Sequence, residues 1–151
     1  MIYTVRFAHL AKRPDFSIGD KVIRNIVIGE MGNTGQSTAP HLHLDVVFGR
    51  HPYRYSLLSI EADNPKASPR QAAYFIDREL FDTQVEITTG YADPFYLQEF
   101  KKLHLGFDVV PRNRKKENFF IHWNRSYPGE VIFILDNDPG YGNCLYIAYE
   151  A

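Results

Sequence analysis

Short runs in which apolar and polar residues alternate cover most of this chain, and a period of two predicts strands rather than helices. Residues 2–10 read as a first strand, rich in β-branched and aromatic side chains. A turn from Asp15 to Asp20, punctuated by Gly19, leads to a second strand over 21–29 carrying Val22, Ile23, Ile26, Val27 and Ile28. A loop of Gly, Asn, Thr and Ser residues (32–40) then delivers the chain to a strand over 41–47. Alternation there sets His41, His43 and Asp45 on one face and Leu42, Leu44 and Val46 on the other. Strand signals return at 85–89, and again near 118–123, 130–135 and 144–149 after a basic turn from Arg112 to Lys116.

The middle of the chain breaks this rhythm. Residues 49–67 are turn-rich, with Pro52 and Asp63-Asn64-Pro65. Ser68 followed by Pro69 is a helix start, a capping hydroxyl and then a proline where no N–H is needed. Ala72, Phe75, Ile76 and Leu80 follow at helical spacing, so 69–82 is predicted as the one sizeable helix. We find no internal repeat, low-complexity tract or inter-domain linker.

Composition narrows the class. A chain of 151 residues, 44% hydrophobic and 15% aromatic, is long enough and apolar enough for a single folded domain. A net charge of −1 argues against binding to nucleic acid or anionic membrane through bulk charge. No apolar run approaches the ~20 residues that span a bilayer, so membrane insertion is not expected. The first residues lack a signal-peptide pattern, so a product acting outside the cell would need another export route. Cys144 is the single cysteine, which excludes an internal disulfide and a thiolate zinc cluster.

Two constellations carry possible chemistry: His41-x-His43 on a predicted strand, and His104-x-Gly106-x-Asp108. Imidazole and carboxylate suit zinc, and a catalytic zinc keeps three protein ligands and an open position. Residues i and i+2 of a strand share a face, so His41 and His43 can reach one site. Gly106 lets the chain turn between His104 and Asp108. Taken alone each motif is weak. A lone His-x-His is more often packing than metal, and His9 by itself reads as a satisfied strand histidine. His51 and His122 fit no pattern. The loop at 32–38 lacks the Gly-Lys-Ser/Thr ending of a phosphate loop and leads into a strand, not a helix. The basic turn reads as a solvated loop, and Asn124-Arg125-Ser126 is a common chance sequon.

The stretch from Met31 through Gly32-Asn33-Thr34-Gly35 and His41-Leu42-His43-Leu44-Asp45-Val46 resembles the signature of lysostaphin/LytM-type endopeptidases, which cut the peptides of bacterial peptidoglycan. Phe7-Ala8-His9-Leu10 is similar to that family's Tyr-x-His-Leu strand. Ile18-Gly19-Asp20-Lys21-Val22 and Val27-Ile28-Gly29 resemble the stretch between these motifs. Ile87-Thr88-Thr89 through His104-Leu105-Gly106-Phe107-Asp108 resembles the family's opening, and Gly129-Glu130-Val131 and Gly140-Tyr141-Gly142-Asn143 resemble two further elements. Departures are Phe7 for Tyr, Ala39 for Gly and Asp45 for Glu. The order also departs: the family places His-x-Gly-x-Asp first and His-x-His last, and here that order is reversed.

The resemblance implies a mainly β, β-rich α+β fold, an antiparallel lysostaphin-type core that is circularly permuted. Residues 1–48 and 85–151 would form the core of one domain spanning 1–151, and 49–84 a connecting segment holding the helix at about 69–82. Residues 144–149 and 2–8 would then be neighbouring antiparallel strands. It also implies one Zn2+ per chain on His104, Asp108 and His43, with His41 as general base and His9 orienting the water or stabilising the oxyanion. Those two roles are interchangeable on this reading. Asp45 would support a neighbouring histidine. The implied partner is peptidoglycan peptide, and the implied place of action is extracellular, at a cell wall or on a virion. Two other classes stand beside the enzyme: a catalytically degenerate wall-binding or phage adaptor protein on the same fold, and a carbohydrate-binding β module. The second leaves the histidine set unexplained.

Overall fold

The computed structural model describes residues 2–50, 85–89, 94–101, 106–112, 119–123 and 125–150. The chain runs β1 (Ile2–Leu10), β2 (Lys21–Val22), β3 (Val27–Glu30), β4 (Leu42–Phe48), β5 (Val85–Thr89), α1 (Pro94–Phe100), β6 (Phe107–Pro111), β7 (Phe120–His122), β8 (Gly129–Asp138) and β9 (Gly142–Glu150). Among the described residues the strands form a seven-stranded sheet, ordered β2-β8-β9-β1-β4-β6-β5, and a two-stranded sheet, β3-β7. Neighbouring strands pair antiparallel throughout. The fold is therefore mainly β, as the alternation predicted. The expected helix at 69–82 lies outside the described residues. No helix among them is long and apolar enough to cross a membrane.

The period of two sorts the central strands onto two faces. On one face Val5 and Phe7 of β1, Leu42 and Leu44 of β4, Phe107 and Val109 of β6, and Leu145, Ile147 and Tyr149 of β9 merge into one buried cluster. Ile28 of β3 and Ile121 of β7 join it with Trp123, so the small sheet covers this side. The intervening residues, Arg6, His43, Asp45, Asp108 and Tyr146, belong to the opposite face. There Ala8, Leu135, Cys144 and Tyr146 make a second, smaller apolar cluster.

Residues 144–149 lie against 2–8, in register from Ile2↔Glu150 to Phe7↔Leu145. The expected single strand over 21–29 is corrected. It is two strands in different sheets, because Asn25 takes a left-handed conformation (φ 74°) in a turn closed by Ile26 N–H to Ile23 C=O at 3.1 Å. Helix α1 was not foreseen. Pro94 occupies its first turn, and Lys101 follows with φ 58°, its N–H bonded to Leu97 C=O at 2.9 Å, which ends the helix.

Candidate active site

A cleft of about 440 Å³ opens on the polar face of the large sheet, lined by His9, His41, His43, Asp108, Tyr96 and Tyr141 among others. His43 and Asp108 arrive as directly facing partners in the β4–β6 ladder. Asp108 Oδ1 lies 3.0 Å from His43 Nδ1 and 3.5 Å from His41 Nε2. Gly106 is needed beside them. A Cβ there would stand 2.6 Å from Leu44 O and 2.8 Å from His43 Nε2, so only glycine lets the strand approach this closely.

His9 reaches the cleft by a different route. Strict alternation would aim it with Val5 and Phe7 into the core. Instead its backbone is left-handed (φ 60°) and the β1–β9 register shifts between Phe7 and Leu10. This bulge turns the imidazole to the other face, 4.8 Å from His41 and 6.1 Å from His43 between ring centroids. The loop and turn motifs hold it there. His9 Nδ1 lies 2.6 Å from Thr34 O, and His9 N–H donates to Tyr141 O at 2.9 Å. Thr34 Oγ1 donates to Leu10 O at 2.7 Å and accepts from Asn143 N–H at 3.0 Å. Gly142 is left-handed (φ 65°) and a Cβ on it would strike Thr34 Oγ1 at 2.3 Å, which explains the small residue where loop meets turn.

His9 and His41 share one arrangement. A carbonyl oxygen only accepts, so His9 Nδ1 must carry the proton it donates to Thr34 O. By the same logic His41 Nδ1 donates to Ala39 O at 2.8 Å. With Nδ1 as the donor, Nε2 is the nitrogen that each ring has left for the cleft. Burial lowers the His9 pKa to about 4, helped by the nearby His41 and His43 and opposed by the Thr34 bond and Asp108. His9 is therefore neutral at physiological pH.

His43 is the opposite case. Its Nδ1 faces Asp108 and its Nε2 lies 2.9 Å from Asp45 Oδ2. Burial lowers its pKa, but hydrogen bonds to Asp108 and Asp45 and the charges of both outweigh burial and raise it to about 9. Asp45 thus supports a histidine as expected, and that histidine is His43.

The described donors fit zinc in kind, imidazole and carboxylate, and two of the three implied ligands meet directly across β4 and β6. His104 and His51 lie outside the described residues, as does most of the basic turn. Among the described residues no three His, Cys, Asp or Glu side chains stand together as a metal-holding group. His122 sits on β7 of the small sheet, not in the cleft lining. Burial pushes the Cys144 thiol up, which excludes it as a thiolate nucleophile.

Four contributors were not read from the sequence. Arg6 is buried behind His43, bonded to Asp45. Tyr96 and Phe100, four residues apart on α1 with ring centroids 4.6 Å apart, form an aromatic wall of the cleft, and Tyr141 forms another part of the lining. Asp93-Pro94 followed by aromatic residues at i and i+4 was the signal for that wall.

Comparison with known proteins gives a family match for part of the chain. Residues 2–54 fit the family model described as Peptidase family M23, which is consistent with a lysostaphin/LytM-type peptidase and, at family level, with a metallopeptidase acting on peptidoglycan. That span includes His9, His41 and His43. No curated protein and no solved structure matches the chain.

Proposed function

From the likeness of residues 2–54 to peptidase family M23 we propose that this chain is a zinc metalloendopeptidase hydrolysing peptide bonds of bacterial peptidoglycan, on a circularly permuted core. The observation that carries the reading is the meeting of His43 and Asp108 on facing strands, in one cleft with the imidazoles of His9 and His41. Permutation is supported by the antiparallel pairing of β9 with β1 and by the reversed motif order. The proposed place of action is extracellular, at a cell wall or on a virion.

His43, Asp108 and His104 would hold one zinc ion. Zinc, when bound, supplies Lewis acidity that activates water near neutral pH and polarises a carbonyl. The chain's own groups do the rest. His41, anchored through Nδ1 to Ala39 O, takes the water's proton on Nε2 and returns it to the leaving amine. His9, anchored to Thr34 O and neutral, keeps Nε2 as an acceptor that orients the water; serving the developing oxyanion instead would require a proton on Nε2. The same anchoring at both rings allows the roles to exchange. Tyr96 and Phe100 offer an apolar wall to the substrate peptide.

Zinc content and hydrolysis of purified peptidoglycan, measured together, test this. His43→Ala, His104→Ala and Asp108→Ala should lose both. His41→Ala and His9→Ala should keep zinc and lose activity, by about 10²–10⁴-fold for His41. Wild-type cleavage by zinc-loaded His41→Ala would sink the mechanism. A zinc-loaded wild-type protein that adheres to every wall type and releases no peptide ends would be a binding or adaptor protein instead.

A further inference from the structure

Arg6 is a buried group at the wall of the cleft that the proposed chemistry leaves unused. It lies on β1 directly across from Asp45 on β4, and the two side chains are 1% and 0% exposed. Arg6 Nε and Nη2 both contact Asp45 Oδ2, at 3.0 and 2.5 Å. That same oxygen lies 2.9 Å from His43 Nε2. On its other sides the guanidinium sits 3.9 Å over the Tyr141 ring, with Nη1 3.4 Å from Tyr146 Oη. The fork is thus confined from several directions, and it grips the carboxylate oxygen that grips the histidine.

The arrangement matters because an imidazole's second side-chain torsion is broad and roughly two-fold. Packing alone leaves open which ring nitrogen faces Asp108. Hydrogen bonding decides it: an oxygen fixed at Nε2 leaves Nδ1 on the Asp108 side. Asp45 is buried and could turn away from His43 were it not held from behind by two nitrogens of a planar fork.

We propose that Arg6 is a positioning residue, acting through Asp45 to hold the His43 ring with Nδ1 presented to Asp108 and the cleft. The proposal rests on the reading of His43 as a zinc ligand. Outer groups that orient a metal-binding histidine typically matter 10–100-fold for metal affinity or activity. For Arg6→Met we expect the zinc dissociation constant, measured by competition with a chromophoric chelator, to rise by about 10–100-fold. The kcat at saturating zinc should fall while KM stays near wild type. Arg6→Lys keeps a buried positive charge and supplies a fallback if Arg6→Met does not fold. Lacking the fork, it should weaken zinc by about 10-fold, the lower end of that range. A purely structural Arg6 would lower the melting temperature of folded variants and leave zinc affinity and kcat unchanged, which would overturn the proposal. Wild-type protein that takes up no zinc removes the metal reading and this proposal with it. Wild type that binds zinc beside folded Arg6 variants that bind it equally well removes this proposal alone.

Discussion

At the scale of single residues, burial and charge pull His43 in opposite directions. Its pKa is raised to about 9, because hydrogen bonds and charges of two carboxylates outweigh burial. A histidine whose folded pKa lies above its unfolded value, ~6.5, contributes stability that is fully present below pH ~6.5. That contribution is lost as pH rises through about 9. In excess chelator, the His43 Cε1–H resonance should titrate well above the ordinary histidine range. The melting temperature of wild type relative to His43→Gln should decline over the same interval. A midpoint at or below 6.5 would mean that Asp45 and Asp108 do not hold this ring in solution.

At the scale of elements, the end of β1 depends on contacts from segments distant in sequence. Loop 33–36 and the turn at 140–143 fix His9 through Thr34, whose hydroxyl serves Leu10 O and Asn143 N–H at once. Thr34→Val keeps the side-chain shape and removes both bonds. We expect about 1–3 kcal/mol lower stability in urea denaturation. Peptidoglycan hydrolysis should drop while zinc stoichiometry is retained, since Thr34 is not among the proposed ligands. An unchanged rate would show that the bulge holds His9 without this clasp. The same element shows how far the sequence could be read. Alternation correctly divided Leu42 and Leu44 from His43 and Asp45, because both faces of β4 are set by a period of two. His9 defeated that rule, since its place comes from a left-handed bulge that only tertiary contacts stabilise. Its place in the cleft was legible through family resemblance and not through pattern. The break at Asn25 and helix α1 were missed for a related reason: local apolar content masked the turn in one, and no buried face marked the other. Arg6 looked like an ordinary polar position of a strand, and its partner stands 39 residues away.

At the scale of the whole molecule, the pairing of β9 with β1 makes connectivity testable. Ile2 and Glu150 face each other across the ladder. A two-residue Asn-Gly link from Glu150 to Ile2 suits a tight hairpin. New ends opened between residues 49 and 84 would restore the family's motif order. We expect this rewired chain to fold cooperatively, with near-ultraviolet circular dichroism and zinc affinity close to those of the original. Failure to fold, with soluble wild type as control, would count against permutation.

The division of β1, β4 and β6 into an apolar face and a polar face has one more consequence. The same strands supply the core and the cleft, one residue out of phase. A slip of β4 by a single position would turn Leu42 and Leu44 toward the cleft and drive His43 and Asp45 into the interior. Buried charge without its partners is strongly unfavourable, so such a chain would not persist as a folded protein. Accuracy at the cleft is thereby inspected during folding: a molecule whose β4 is misaligned is also one that cannot close its core.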